Sequence, residues 1–322
     1  MIFPNQNKKV NKKRLAKGFL LSLSFLFYFG IALFDVSWVL TNSQDIFYQN
    51  AVASVLDGGK NLRAGEAMSD TIIETPVSEE MLEINAEAGV SVLITPDEEK
   101  VLFAKNKNKK LPIASLAKLM TALVVLEKYN LDDTVLISES ALLQEGVQGV
   151  LKKDEVLSVK NLLYITLIES SNRSAFALSE IMGNDVFIKT MNETGQRIGL
   201  LNTRFEDVTG LGEGSYSTTR DLVILTRYLF EHYPLFGEIA GLQSFDLYSP
   251  NGKLHHTLAT TNKLLGKTEG IIAGKTGFTS FSKGCVMVIQ KGADEKHYMI
   301  HILLGAEDRF LEMEKIINWV NR

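Results

Sequence analysis

The chain has 322 residues, 45% of them apolar, with 34 Lys and Arg against 38 Asp and Glu for a net charge of −4. That composition excludes wholesale disorder, and the lone Cys285 excludes an intrachain disulfide framework and any Cys-rich zinc site. A balance of −4 is no footprint of a nucleic-acid binder, and no nucleic-acid partner is expected.

The charge is unevenly placed. Residues 1–34 carry +6 and no acid, residues 35–89 carry −8, and residues 90–322 carry −2. Residues 1–17 read as a basic cytoplasmic tip. From Gly18 to Phe34 there is no charge, and residues 18–40 are long enough to cross a bilayer core of about 30 Å, with Asp35 near the outer interface and Trp38 as an interfacial anchor. The basic flank directs the N-terminus inward and the rest of the chain outward. The expectation is a single-pass cell-membrane protein whose main domain is extracytoplasmic. A cleaved signal peptide is the competing reading, but the run is long and IALFDVSWVL offers no clean small-x-small site. Residues 41–88, polar, acidic and broken at Asp57-Gly58-Gly59, read as a stalk.

The body is expected over residues 89–322. VSVLIT (90–95) and KVLFAK (100–105) flank a Pro96–Glu99 turn and predict a hairpin. Residues 115–129 are apolar nearly all round and predict a buried helix. Helical patterns follow over 138–145, 158–182, 185–199 and 218–232. Strands return over 244–249 and 253–260 around Pro250-Asn251-Gly252, then over 270–277, 284–291 and 297–305, before an amphipathic helix over 309–320. Strands at both ends with helices between predict an α/β (α+β) chain. An antiparallel sheet is flanked by helices, a helical lobe forms from the middle, and a cleft lies between the two.

Three short motifs occur in order: Ser115-Leu116-Ala117-Lys118, Ser170-Ser171-Asn172 and Lys275-Thr276-Gly277. Each is weak alone; Ser280–Lys283 also reads S-x-x-K and Ser249–Asn251 also reads S-x-N. Context separates them, because Ser115 opens a buried helix while Ser280 lies in a turn. Ser and Lys three apart share a helix face, so the Lys118 amine can reach the Ser115 hydroxyl. A serine needs a base to become a nucleophile, and a lysine becomes one only when burial or a nearby cation lowers its pKa. Lys275 can be that cation. A helix N-terminus leaves a backbone N–H beside Ser115 for a developing oxyanion. Ser170 can relay a proton to a leaving amine, and Asn172 can hold Lys118 and a substrate amide together. Lys275 and Thr276 can bind a carboxylate, and Gly277 lets a substrate backbone approach.

Residues 89–305 resemble the D-alanyl-D-alanine carboxypeptidases, the low-molecular-weight penicillin-binding type of serine peptidase. The likeness includes Leu111–Lys118, Phe205–Leu211, Tyr216–Leu222, Thr261–Leu265, Gly274–Thr279 and Ile302–Gly305. It implies a β-lactamase/transpeptidase-like fold, and a Ser115 acyl-enzyme formed from a peptidoglycan stem peptide ending in D-Ala-D-Ala. The terminal D-Ala leaves, and water releases the product. β-Lactams would acylate Ser115 as mimics. The backbone N–H of Phe278 would be the second oxyanion donor, and no metal or organic cofactor is needed. The alternatives are a β-lactamase-like hydrolase, a D,D-endopeptidase, or a non-catalytic peptidoglycan-binding homologue.

Two residues depart from the family's middle motif: Arg173 stands where Asp or Asn is usual, and Glu169 precedes the motif. Many members continue into a β-rich domain and a C-terminal membrane helix, so here the N-terminal anchor is expected to serve. His255 and His256, adjacent on a strand, should point to opposite faces and make a poor metal pair. Cys285 should be a small core hydrophobe.

Overall fold

The computed structural model describes residues 82–322 apart from 147 and 295. The expected tip and anchor, and most of the expected stalk, lie outside the described residues. No helix among the described residues is long and apolar enough to cross a membrane.

The chain opens on β1 (Ala88–Ile94) and β2 (Glu99–Lys105), joined by the expected turn. Short β3 (Leu111–Pro112) leads through a 3₁₀ turn at Ala114–Leu116 into α1 (Ala117–Lys128). Then come β4 (Thr134–Leu136), α2 (Glu139–Leu142), β5 (Val156–Ser158), α3 (Val159–Ile168), α4 (Asn172–Glu180) and α5 (Asn184–Arg197). After β6 (Tyr216–Ser217) lie α6 (Thr219–His232) and α7 (Pro234–Ala240). The hairpin β7 (Ser244–Tyr248) and β8 (Leu254–Ala259) precedes β9 (Ile271–Thr279), β10 (Lys283–Lys291), β11 (Tyr298–Ala306) and the closing α8 (Arg309–Val320).

The N-terminal hairpin joins the C-terminal strands, as the alternation at both ends required. The main sheet runs β2-β1-β11-β10-β9 and is antiparallel throughout. Val90 and Val92 of β1 face the larger core with Leu116–Val125 and the buried sides of α3, α4 and α6. Leu303, Val286 and Val288 face the other way, against Met313, Ile316 and Ile317 of α8. Burying apolar area on both faces contributes about 25 cal/mol per Å², so the sheet is clamped between helix layers. Ile84 and Ala86 pack into the α8 core and the Asn85 N–H donates to Glu312, so the packed body begins before residue 89.

Two expectations are corrected. The continuous helix over 158–182 is two helices, α3 and α4, parted at Glu169–Ser171. Ser170 stands there at φ +61°, a left-handed conformation, and Ser171 caps α4 by accepting from the Ser174 N–H. Ser and Asn compete with the helix for backbone bonds, so this tripeptide ends one helix and starts another. Helix α7 was also missed, although Pro234 at its first turn was a legible start signal. Cys285 is wholly buried, and burial pushes its thiol up to about 11.

His301 sits buried in β11, its Nε2 3.1 Å from Gln290 Oε1, and burial pushes its imidazole down to about 3 from 6.5. The unfolded chain therefore binds a proton there that the folded chain refuses. The associated stability is fully present above pH 6.5 and is lost as pH falls toward 3, at about 1.4 kcal/mol per pH unit. Urea unfolding of wild type and His301→Gln across this range should show the variant losing less stability on acidification.

Candidate active site

The chain enters α1 through an unusual corner. Ala114 takes φ +46°, and Gly210 lies so close that a Cβ there would sit 1.8 Å from the Ala114 carbonyl oxygen. Only glycine fits, so the loop after α5 is locked against the residue preceding Ser115. On the other side runs the edge strand β9, where a Cβ on Gly277 would lie 2.8 Å from the Ser115 nitrogen. Gly277 thus brings a strand edge against the backbone N–H of Ser115.

Lys118, the second residue of α1, is wholly buried. Its Nζ lies 2.8 Å from Ser115 Oγ, 2.6 Å from Asn172 Oδ1 and 2.8 Å from the Thr209 carbonyl. Asn172 is oriented from its other end, its Nδ2 donating to the Glu145 carbonyl at 2.8 Å. Thr209 is held by Asp207, whose carboxylate accepts from the N–H groups of Thr209, Gly210 and Gly212 and from the Thr209 and Ser215 hydroxyls. Burial works against the Asp207 anion, but those donors hold its carboxyl below the usual range.

Burial pushes Lys118 down to about 7, while the Asp207 charge works against that. A neutral amine has two N–H donors and one lone pair. Here two of its partners, Asn172 Oδ1 and Thr209 O, can only accept, and the third is a hydroxyl that can donate. The site therefore fits the neutral amine, with its lone pair aimed at the Ser115 O–H. That is the state a general base needs, and its pKa lies near working pH.

Lys275 on β9 is also buried, and its Nζ donates to Ser170 Oγ at 2.6 Å and to the Thr276 carbonyl at 3.0 Å. Burial first, then the charges of Lys118 and Arg309, push its ammonium well below the ordinary lysine range. Two amines in one dry cleft disfavour each other's charge, so one proton is easier to hold than two. A ligand carboxylate beside Lys275 would reverse this and favour its charged form. Thr276 Oγ1 is 2.7 Å from Thr261 Oγ1, which fixes its hydroxyl. Phe278 is exposed, with the Arg309 guanidinium 5.9 Å from its ring centre.

The structure thus joins Ser115, Lys118 and Asn172 in one hydrogen-bonded group, and Ser170, Lys275 and Thr276 in another, with Gly277 against the Ser115 nitrogen. Sequence reasoning had quoted Phe205–Leu211 but given it no role. Its signal was Asp207 two residues before Thr209, the spacing of a side chain that folds back on its own backbone. The two departures point elsewhere: Arg173 Nε donates to the Gln144 carbonyl at 3.3 Å, and the Glu169 carboxylate meets His256 Nε2 at 3.2 Å.

Comparison with known proteins gives the family. A family model described as D-alanyl-D-alanine carboxypeptidase matches residues 74–308. The D-alanyl-D-alanine carboxypeptidase DacF of Bacillus subtilis is 32% identical over 248 residues, covering 74% of this chain and 63% of its own length. A D-alanyl-D-alanine endopeptidase of Pseudomonas aeruginosa is 35% identical over 212 residues, covering 62% of this chain and 66% of its own length. The chain therefore spans just under two thirds of each of these relatives. The solved structure of penicillin-binding protein D2 from Listeria monocytogenes, in its ampicillin-bound form, superposes with a TM-score of 0.66 at 27% identity, covering 75% of this chain and 99% of that one.

Isotope-edited NMR of the lysine side chains should give Lys118 a protonation midpoint near 7, more than three units below an ordinary lysine at 10.5. A midpoint above 9 would sink the neutral-amine assignment.

Proposed function

Because the chain belongs to the D-alanyl-D-alanine carboxypeptidase family, we propose that its body is a serine D-Ala-D-Ala carboxypeptidase acting on peptidoglycan stem peptides. The observation that carries this reading is the Lys118 amine, wholly buried and bonded at once to Ser115, Asn172 and the Thr209 carbonyl.

In this reading Lys118 takes the Ser115 proton as the Oγ attacks the carbonyl carbon of the penultimate D-Ala. The backbone N–H groups of Ser115 and Phe278 hold the oxyanion. The substrate carboxylate lies on Lys275 and Thr276. The proton on Lys118 passes to the leaving amine, either directly or through the Ser170 hydroxyl, and D-Ala departs. Water then attacks the acyl ester as Lys118 takes its proton, and Lys118 returns that proton to Ser115 Oγ as the ester C–O bond breaks. Every proton is handled by the chain's own groups, so the cycle calls for no metal or cofactor.

A β-lactam meets the same groups, and its ring-opened ester on Ser115 is the expected stable adduct. The endopeptidase name of the Pseudomonas relative, at 35% identity, favours one second reading: the same acyl-enzyme formed from a D-Ala cross-link rather than a free C-terminus. We further propose that residues 18–40 anchor the enzyme in the cell membrane. The acidic segment after them would space the body on the extracytoplasmic side, where peptidoglycan lies.

The full-length chain should label with a fluorescent penicillin and release D-Ala from a stem pentapeptide, and Ser115→Ala should abolish both while keeping the wild-type circular dichroism spectrum. Absence of both in the wild type would overturn the enzymatic reading. Release of monomers from a cross-linked dimer faster than D-Ala from the pentapeptide would select the endopeptidase. The acylation rate should rise with pH around a midpoint near 7, where Lys118 becomes neutral.

Gly277→Ala should slow acylation on the order of a hundredfold. Its Cβ would lie 2.8 Å from the Ser115 nitrogen and so displace an oxyanion donor.

A further inference from the structure

His255 and His256 do not point to opposite faces. The β7–β8 pairing shifts register between Leu247 and Tyr248, so Leu247 faces His256, Tyr248 faces Leu254, and His255 is the extra residue. Such a bulge re-aims a side chain, and the two rings meet with Nδ1 2.6 Å from Nδ1. Each ring then reaches a carboxylate, His255 Nε2 at 3.0 Å from Glu155 Oε2 and His256 Nε2 at 3.2 Å from Glu169 Oε2. All four side chains are at most 17% exposed.

The protons this row calls for can be counted. Each outer bond needs an Nε2–H facing a carboxylate, and the central bond needs one proton between two nitrogens. Satisfying all three contacts at once takes three protons, one imidazolium and one neutral imidazole between two carboxylates. A second central proton would set two N–H groups face to face. Loss of one proton would leave either two lone pairs at the centre or a ring lone pair against a carboxylate, so either change breaks one contact of the row. Among the described residues the charged groups touching the rings are Glu155, before β5, and Glu169, at the end of α3. Asp246 on neighbouring β7 is taken by the Thr257 hydroxyl.

The row ends one peptide bond from Ser170. That residue's φ of +61° is a left-handed conformation unfavourable for an L-residue, so its surroundings must impose it. Lys275 holds the hydroxyl from one side, and Glu169 anchors the backbone from the other.

We propose that Glu155, His255, His256 and Glu169 form a one-proton clamp that positions Ser170, coupling the acylation rate to a proton outside the Ser115–Lys118 pair. This rests on the acyl-enzyme reading above. Its members are positioning residues that touch no substrate, and neither Glu169 nor the two histidines belong to the motifs that point to that chemistry.

The test uses the full-length chain in detergent, and its five histidines keep the spectrum simple. With ¹⁵N-labelled histidine, an N–N coupling across the shared proton should link His255 to His256 and vanish once acid adds a second central proton. Acylation by fluorescent penicillin is then followed from pH 5 to 9 for wild type, His256→Gln and Glu155→Gln. His256→Gln should acylate on the order of tenfold to a hundredfold more slowly. The wild-type to variant rate ratio should be largest where the coupling is present and fall on the acid side where it is lost, because the Lys118 and Lys275 titrations cancel in it. Glu155→Gln, remote from Ser170, should give a smaller ratio of the same shape. A ratio flat in pH, or no coupling in the wild type, overturns the clamp even if His256→Gln misfolds. Failure of the wild type to label at any pH instead overturns the acyl-enzyme reading, which the coupling does not depend on.

Discussion

A lysine amine carried into a dry cleft must lose its proton or meet an anion, and here two are carried into the same cleft. Lys118 and Lys275 are both buried, yet among the described residues no carboxylate bonds either one. Lys118 is surrounded by carbonyl oxygens and one hydroxyl, which suits an uncharged amine better than an ammonium. Lys275 is left without a counter-charge of its own, which suits a site waiting for a ligand's carboxylate. In the proposed reading the reactive hydroxyl, the base and the anion subsite thus all follow from the burial of these two amines.

Holding that arrangement requires backbone that does not relax. Ala114 and Ser170 both adopt left-handed conformations without being glycine, one just before Ser115 and one within the middle motif. Glycine is used where the chain must come close instead: Gly210 against the Ala114 carbonyl and Gly277 against the Ser115 nitrogen. The Asp207 carboxylate organises the loop that delivers Thr209 by accepting from three N–H groups of that loop. Such local strain persists only where the surroundings over-determine it, and here a buried α1, an edge strand and a hydrogen-bonded loop converge on a few residues.

The two departures at Glu169 and Arg173 acquire separate meanings. Arg173 ties α4 to the loop after α2 through the Gln144 carbonyl. Glu169 ties the end of α3 to the β7–β8 hairpin through His256. Neither side chain bonds Lys118 or Lys275, so the middle motif keeps its chemistry while its supports change.

Much of this was legible in the residues themselves. The spacing in Ser115-x-x-Lys118 places hydroxyl and amine on one helix face, because a helix repeats every 3.6 residues. The apolarity of residues 115–129 announced burial, and burial alone lowers a lysine's pKa. The strand patterns at both ends required one antiparallel sheet. What no local pattern carried was whatever depends on close approach between distant segments. The break at Ser170 lay hidden inside a helical pattern, and Asp207 and Thr209 acquired roles only once their loop met α1. His255 and His256 were assigned opposite faces by a two-residue period that one bulge defeats. Periodicity and propensity act within a few residues of chain, so the sequence determined the elements and the reactive types; distances across the cleft depend on packing, and only the tertiary structure decided which of those groups touch.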